Sequence, residues 1–210
     1  PQREFARRMG FGDRAMFQGY YAADLAAFDA APTSDRRFLF CGRLAPEKAV
    51  DVLADAYAAY RSMSDDPWHL AIAGTGPLTA RLEAAAGVAM HGFVQPSDLP
   101  ALFRAAGAFI LPSRFEPWGV VVQEAAAAGL PIIATPACGA AVHLVQDGWN
   151  GRLAAANDPS ALAEAMSWIA SRSEAERIAM GERSRSLAAQ FTPKRWADTV
   201  LRMLERPQAG

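Results

Sequence analysis

Cysteine is scarce in this chain: two residues in 210, Cys41 and Cys138. They stand far apart among apolar or small neighbours. That excludes the disulfide scaffold of a small secreted domain and fits a reduced compartment, so the expected location is the cytoplasm and the expected role of both thiols is inert burial. Neither sign of charge is in excess. A formal net charge of −1 and a pI near 6.4 leave no basic field for nucleic acid or an anionic membrane surface. No apolar run approaches the ~18 residues that span a bilayer, and no signal-peptide pattern is present. Histidine is limited to three residues. There is no Cys/His cluster, no His-x-x-x-His pair and no Asp-x-Asp, so neither a metal nor a cofactor is expected. P-loop and Gly-x-Ser-x-Gly patterns are missing too, as are internal repeats.

What remains is an ordinary globular composition, 51% hydrophobic and 20% charged, in a chain long enough to bury a core unaided. From residue 37 onward short apolar runs alternate with amphipathic stretches. RFLFCGRL, WHLAIAG, VAMHGFV, GAFILP, LPIIAT and NGRLAA read as strands. AVDVLADAYAAYRSM reads as a helix with Val50, Leu53, Tyr57 and Tyr60 facing inward. LTARLEAAAG, LPALFRAAG (capped by Ser97 or Asp98), VVVQEAAAAG and CGAAVHLVQDG read as further helices. Asp158-Pro159 and Thr192-Pro193 are cap-plus-proline starts, and the stretch from Ser167 to Phe191 reads as more helix. Such alternation predicts an α/β fold: a Rossmann-like, three-layer α/β/α parallel sheet, its strands apolar on both faces. Three parts are expected. Residues 1–32, including a helix QREFARRMG and a strand RAMFQGYY, read as the tail of a preceding domain and a linker. Residues 33–192 form the sheet domain, and residues 193–210 a closing helix and tail.

In a parallel sheet ligands bind in the crevice beyond the strand C-terminal ends. The loops there are GRLAPEK, GTGP, HGFVQP, PSRFEPWG and TPACGA. Glu116 and Glu124 bracket a turn from a strand end into a helix. Gly119 and Val120 fall at that helix's N-terminus, whose free N–H groups favour anions. Glu124 could accept from a ribose diol, and Glu116 could reach a sugar hydroxyl; the competing reading is two solvated surface glutamates. Arg43 and Lys48 suit a diphosphate, the first as a fork and the second as a mobile point charge, or are ordinary surface cations. GTGP is a weak motif: Thr79 takes the third glycine position of a dinucleotide fingerprint, and taken alone a plain turn explains it better. Phe93 and Val94 could frame a base or plug the core. His69 and His91 read as structural.

Taken together, GRLAPEKAVDVL, IAGTGPL, HGFV, ILPSRFEPWGVVVQEAAAAGLPIIAT and CGAAVHLVQDGWNG resemble, in order and spacing, the C-terminal domain of GT-B-fold retaining glycosyltransferases, the group 1 family related to glycogen synthase and sucrose synthase. The likeness runs from about residue 37 to 205, and Glu-x7-Glu is its strongest element. It implies that the chain supplies the donor half of a sugar transfer from a nucleotide-sugar with retention of configuration. It implies Arg43 and Lys48 on the diphosphate, and Glu116, Gly119 and Val120 on the sugar or phosphate. Glu124 would hold the ribose and Phe93 and Val94 the base, with Gly42, Gly74, Gly76, Ser113 and Trp118 completing the donor site. The acceptor (sugar, lipid or small molecule) would come through an N-terminal domain, so the chain alone would bind donor weakly and turn over little. Ala49 and Ala140 stand where the family often has Gly, His143 where it often has Glu, and Trp118 where Phe is commoner. The alternatives are a non-catalytic nucleotide-sugar-binding module, a GT-B-fold epimerase, and a dinucleotide-dependent oxidoreductase.

Overall fold

A computed structural model describes residues 2–17, 21–29 and 35–205. Helix α1 (Gln2–Arg8) precedes a domain built from β1 (Arg37–Cys41), α2 (Val50–Ser62), β2 (His69–Ala73), α3 (Ala80–Glu83), β3 (Val88–Gly92), α4 (Leu99–Arg104), β4 (Ala108–Leu111), α5 (Val120–Ala127), β5 (Ile132–Ala134), α6 (Ala141–Leu144), β6 (Gly151–Leu153), α7 (Pro159–Ala170), α8 (Glu174–Ala188) and α9 (Pro193–Glu205). The six strands are parallel in the order β3-β2-β1-β4-β5-β6. Leu39 of β1 pairs with Ala71 on one side and Phe109 on the other. The expected α/β parallel sheet is therefore present.

Its central strands are apolar throughout because helices cover both faces. Phe38, Leu39 and Phe40 of β1 and all of β4 are buried. α2 turns Val50, Leu53, Tyr57 and Tyr60 inward, as its 3.6-residue spacing predicts. The two tyrosines keep their polar ends satisfied. The Tyr57 hydroxyl lies 3.0 Å from the Trp68 carbonyl and 2.9 Å from that of Gly87, and the Trp68 N–H donates to the Tyr60 oxygen. β3 alternates half-buried with exposed residues, as an edge strand does.

Several local expectations need correction. RAMFQGYY does not form a strand in its described part: Asp13–Ala15 is a single 3-10 turn, and residues 18–20 lie outside the described residues. Of the expected linker DAAPTSDRR, residues 30–34 lie outside the described residues, and the segment before it packs on the sheet domain. Phe28 is buried edge-on against Phe103, and the buried Gln123 amide donates to the Tyr21 carbonyl. Neither Ser97 nor Asp98 caps α4 by its side chain, because Asp98 already has helical dihedrals, whereas an N-cap side chain needs extended backbone to reach back. His69 and His91 are exposed.

The helical stretch from Ser167 is two helices. It breaks at Ser171–Ser173, where Ser173 accepts from the Glu176 N–H and the Glu176 carboxylate accepts from the Ser173 N–H. This reciprocal cap is legible in the sequence as Ser-x-x-Glu. By contrast, the Asp158 cap with Pro159 behind it is as expected, Asp158 accepting from the Ala161 N–H at 3.0 Å. Removing the Ser173 hydroxyl with Ser173→Ala is expected to lower the unfolding free energy by about 1 kcal/mol, read as a lower urea midpoint at unchanged m-value.

Candidate functional site

The chain winds outward from β1 to β3, then returns to place β4 on the other side of β1. Loops leaving β1 and β4 consequently diverge, opening a crevice at the strand ends. The loop after β1 is held by the loop after β2. Leu44 N–H donates to the Thr75 carbonyl, and Leu78 N–H donates to that of Leu44. A Cβ at Gly74 would sit 1.9 Å from the Gly42 carbonyl oxygen, and one at Gly76 would sit 2.3 Å from that of Leu44. The glycines of GTGP are thus required by backbone packing, which accounts for them without a bound dinucleotide.

This support directs the chain through a 3-10 turn, Pro46–Lys48, into Ala49, which has φ +54. A left-handed residue with a Cβ is strained, so the usual glycine at this position has a plain backbone reason. Here Ala49 tolerates the conformation and is fully buried. Beside it, Lys48 turns into the crevice and its ammonium pairs with the Glu116 carboxylate. The two side chains are only 20% and 12% exposed, so this is a shielded pair rather than a surface contact. Arg43 behaves differently. It is 68% exposed at the rim and pairs with Glu47 of its own loop, whose carboxyl is held below its usual range by the guanidinium.

Glu116 is positioned from the β5 side. Its N–H donates to the Ala137 carbonyl, and its own carbonyl accepts from the Gly139 N–H. Three residues on, Gly119 takes φ +92 and starts α5. A Cβ there would meet the Cys138 sulfur at 3.0 Å and the Glu116 side chain at 3.1 Å. α5 has no side-chain cap, so the N–H groups of its first turn at Val120 and Val121 point to the crevice without an intrahelical acceptor. Glu124 lies one turn in and is half-buried; burial raises its carboxyl above the usual range. The Cys41 thiol is pushed up to about 12, by burial first and then by Glu124, partly offset by Lys48. Cys41, Lys48 and Glu124 therefore share one electrostatic neighbourhood, and the thiol stays protonated. Cys138 is likewise raised by burial and donates its S–H to the Trp118 carbonyl.

Of the residues expected at the donor site, Gly42, Lys48, Glu116, Gly119, Val120 and Glu124 converge where β1 and β4 part. Phe93 and Val94 follow β3, two strand spacings away, about 10 Å. Phe93 is 70% exposed, whereas Val94 is partly buried and packs against the core, so the two residues divide between the expected roles. Ser113 and Trp118 are buried in the wall rather than on it. The Ser113 carbonyl accepts from the Thr135 hydroxyl. The Trp118 ring packs among Tyr21, His143 and Phe191, with centroids 5.8 to 6.1 Å off. His143 is an aromatic neighbour whose pKa burial lowers, so it stands neutral at pH 7 where an acid is common. Ala140 has ordinary helical dihedrals and needs no glycine. A cavity of about 760 Å³ opens between α9 and the N-terminal residues Arg3, Met16, Phe17 and Ala22, lined also by Phe191 and Arg202; it includes none of Lys48, Glu116 and Glu124. Sequence reasoning overlooked Arg114, whose partner Asp51 lies 63 positions away, beyond the reach of any local pattern. Among the described residues no cluster of three metal-ligating side chains occurs, and no helix is long and apolar enough to cross a membrane.

A family model described as glycosyl transferases group 1 matches residues 35–172. A D-inositol 3-phosphate glycosyltransferase of Jonesia denitrificans is 34% identical over 202 residues, covering 90% of this chain and 47% of that protein. The chain thus spans about half the length of that relative. The crystal structure of Anabaena HepE in complex with UDP superimposes with a TM-score of 0.79 at 20% identity, over 94% of this chain and 59% of that one. The C-terminal domain of the group 1 family glycosyl transferase LpcC from Francisella tularensis does so with 0.63 at 18% identity, over 86% of this chain and 97% of that domain. These two likenesses concern the fold, a Rossmann-like parallel sheet as in GT-B enzymes; the family follows from the sequence match over residues 35–172 and the extended identity to the Jonesia protein, and the chain belongs to the group 1 glycosyl transferases.

Proposed function

We propose that this chain forms the donor half of a retaining glycosyltransferase and binds the diphosphate of a nucleotide-sugar at Lys48. The observation that carries the reading is the shielded Lys48–Glu116 pair, set between β1 and β4 and facing the uncapped N-terminus of α5. A lysine held out of water by one carboxylate is ready to exchange that partner for a phosphate, which offers more charge and more acceptor oxygens. Exchange frees Glu116 to accept from a sugar hydroxyl. The first-turn N–H groups of α5 then face the same anion. Glu124, raised by burial and set one turn along, gains two donors if it takes a ribose diol, which offsets its desolvation.

Chemistry in such a site rests on stabilising the departing diphosphate. Negative charge grows there as the glycosidic bond to phosphate breaks. Lys48, the α5 N-terminus and Arg43, once released from Glu47, are preorganised to meet it, with no metal required. Retention of anomeric configuration and a hexosyl donor belong to this proposal. So does entry of the acceptor from a second domain, which leaves this chain alone binding donor with little turnover.

Titration calorimetry with UDP, GDP, ADP and NAD tests the reading. One nucleoside diphosphate is expected to bind saturably, and Lys48→Ala to weaken it by about 10- to 100-fold, the loss of one charge-assisted hydrogen bond. Equal affinity in Lys48→Ala would overturn the role of Lys48, and binding of NAD alone would overturn the donor-site reading.

Glu124 yields a second expectation. Its folded-state pKa is raised, so its protonated form favours folding, and that contribution is present below the ordinary carboxylate range and lost as pH rises through the folded pKa. Glu124→Gln should therefore melt higher than the parent at pH 7, with the gain vanishing near pH 4, and bind the diphosphate more weakly. A pH-independent difference in Tm would show that burial of the charge is not the cause.

A further inference from the structure

Arg114 lies two residues before Glu116, yet it faces the opposite loop. Its Nη1 and Nη2 donate to the two carboxylate oxygens of Asp51 at 2.8 and 2.7 Å. Nη1 donates also to the Pro46 carbonyl at 2.6 Å, and Nε to the Asn157 side-chain oxygen. The backbone adds to this, since the N–H groups of Arg114 and Phe115 both point to the Glu47 carbonyl, at 2.9 and 3.4 Å. The two peptide carbonyls immediately before Lys48 are therefore held from the loop that carries Glu116. Asn157, with φ +61, ties the start of α7 to the same guanidinium.

We infer that Arg114 is a positioning residue that fixes the Lys48 loop against Glu116 and so sets the donor-diphosphate site. Four of its five N–H donors are occupied by protein acceptors, which leaves it poorly placed to bind a ligand itself. Only a planar fork can serve a carboxylate, a carbonyl and an amide oxygen together; a lysine would keep the charge and lose the geometry. Stability alone accounts weakly for the arrangement. The Arg114 and Asp51 side chains are 29% and 38% exposed, a setting in which ion pairs contribute little. Geometry offers more, because a misplacement of about 1 Å in a binding or catalytic group can cost about 100-fold. Ala49 gives the loop a reason to drift, as a left-handed residue with a Cβ follows Lys48 directly. No stretch of the sequence links these groups, and the contact exists only once β1 and β4 are neighbours.

The inference rests on the donor-site reading above, and the test separates the two. UDP affinity and Tm are measured for the parent chain, Arg114→Lys, Arg114→Gln, Asp51→Asn, Lys48→Ala and the Arg114→Lys/Lys48→Ala double variant. Arg114→Lys and Arg114→Gln are expected to weaken UDP by about 10-fold or more, so that keeping the charge does not rescue, with Tm close to that of the parent. Asp51→Asn should weaken it less, since Pro46 and Asn157 still hold the guanidinium; it also serves if Arg114 variants fail to fold. The double variant should bind no more weakly than Lys48→Ala, because a residue acting through Lys48 has nothing left to act on. Full binding in Arg114→Gln, full rescue by lysine, or independent losses that multiply in the double variant would each overturn the inference. Where the parent prefers GDP or ADP, that nucleotide replaces UDP; should it bind none of the three, the donor-site reading fails on that count. Hydrogen exchange at the Lys48 and Ala49 amides, bonded to Ala45 and Pro46 in the parent, then decides the clamp: faster exchange in Arg114→Gln supports it and unchanged exchange refutes it.

Discussion

Everything at the strand ends depends on the reversal of winding between β3 and β4. A sheet that continued outward from β3 would keep its successive loops packed on one another. Returning the chain to pair β4 with the far side of β1 forces two neighbouring loops apart. The crevice is then a topological consequence rather than a cavity carved from the core. Lys48 enters it from one wall and Glu116 from the other, 68 positions apart in the chain.

The site concentrates features that a domain selected for stability alone would avoid. Ala49 holds a left-handed backbone, Glu124 is a desolvated carboxylate, α5 begins without a side-chain cap, and Lys48 and Glu116 are shielded as a pair. Each is unfavourable or neutral for folding in isolation. Some of them recur elsewhere, since α2, α3, α4 and α6 also start without a side-chain cap and Asn157 is also left-handed, but in this crevice they meet. Supporting groups surround it. Gly74 and Gly76 let the β2 loop brace the β1 loop, the Ala137 and Gly139 peptides brace Glu116, and Arg114 joins the two walls.

Much of this was legible in the chain. Apolar runs alternating with amphipathic stretches led to the parallel sheet, because burial on both faces leaves no other pattern. Glu116 and Glu124 were found because their spacing joins a strand end to a helix start, a local relation. Errors arose where local signals compete. RAMF has strand-like residues but forms no strand in the described part, since no neighbouring strand pairs with it, and β-propensity expresses packing more than backbone preference. The break between α7 and α8 was visible as Ser173-x-x-Glu176 but was masked by helix-forming residues on either side. The GTGP glycines, a weak motif by themselves, have a backbone reason in the Gly42 and Leu44 carbonyls of the neighbouring loop, a contact distant in sequence.

By itself, then, the sequence determined the element order, the apolar faces and the identity of the groups delivered to the strand ends, since these follow from periodicity and turn chemistry within a few residues. Only the tertiary structure decided which of those groups meet. It paired Lys48 with Glu116 while leaving Arg43 at the rim with Glu47, turned Trp118 into the wall, and joined Arg114 to Asp51. Such contacts depend on which strands become neighbours, and that is settled by the burial of the whole sheet rather than by any segment of the chain.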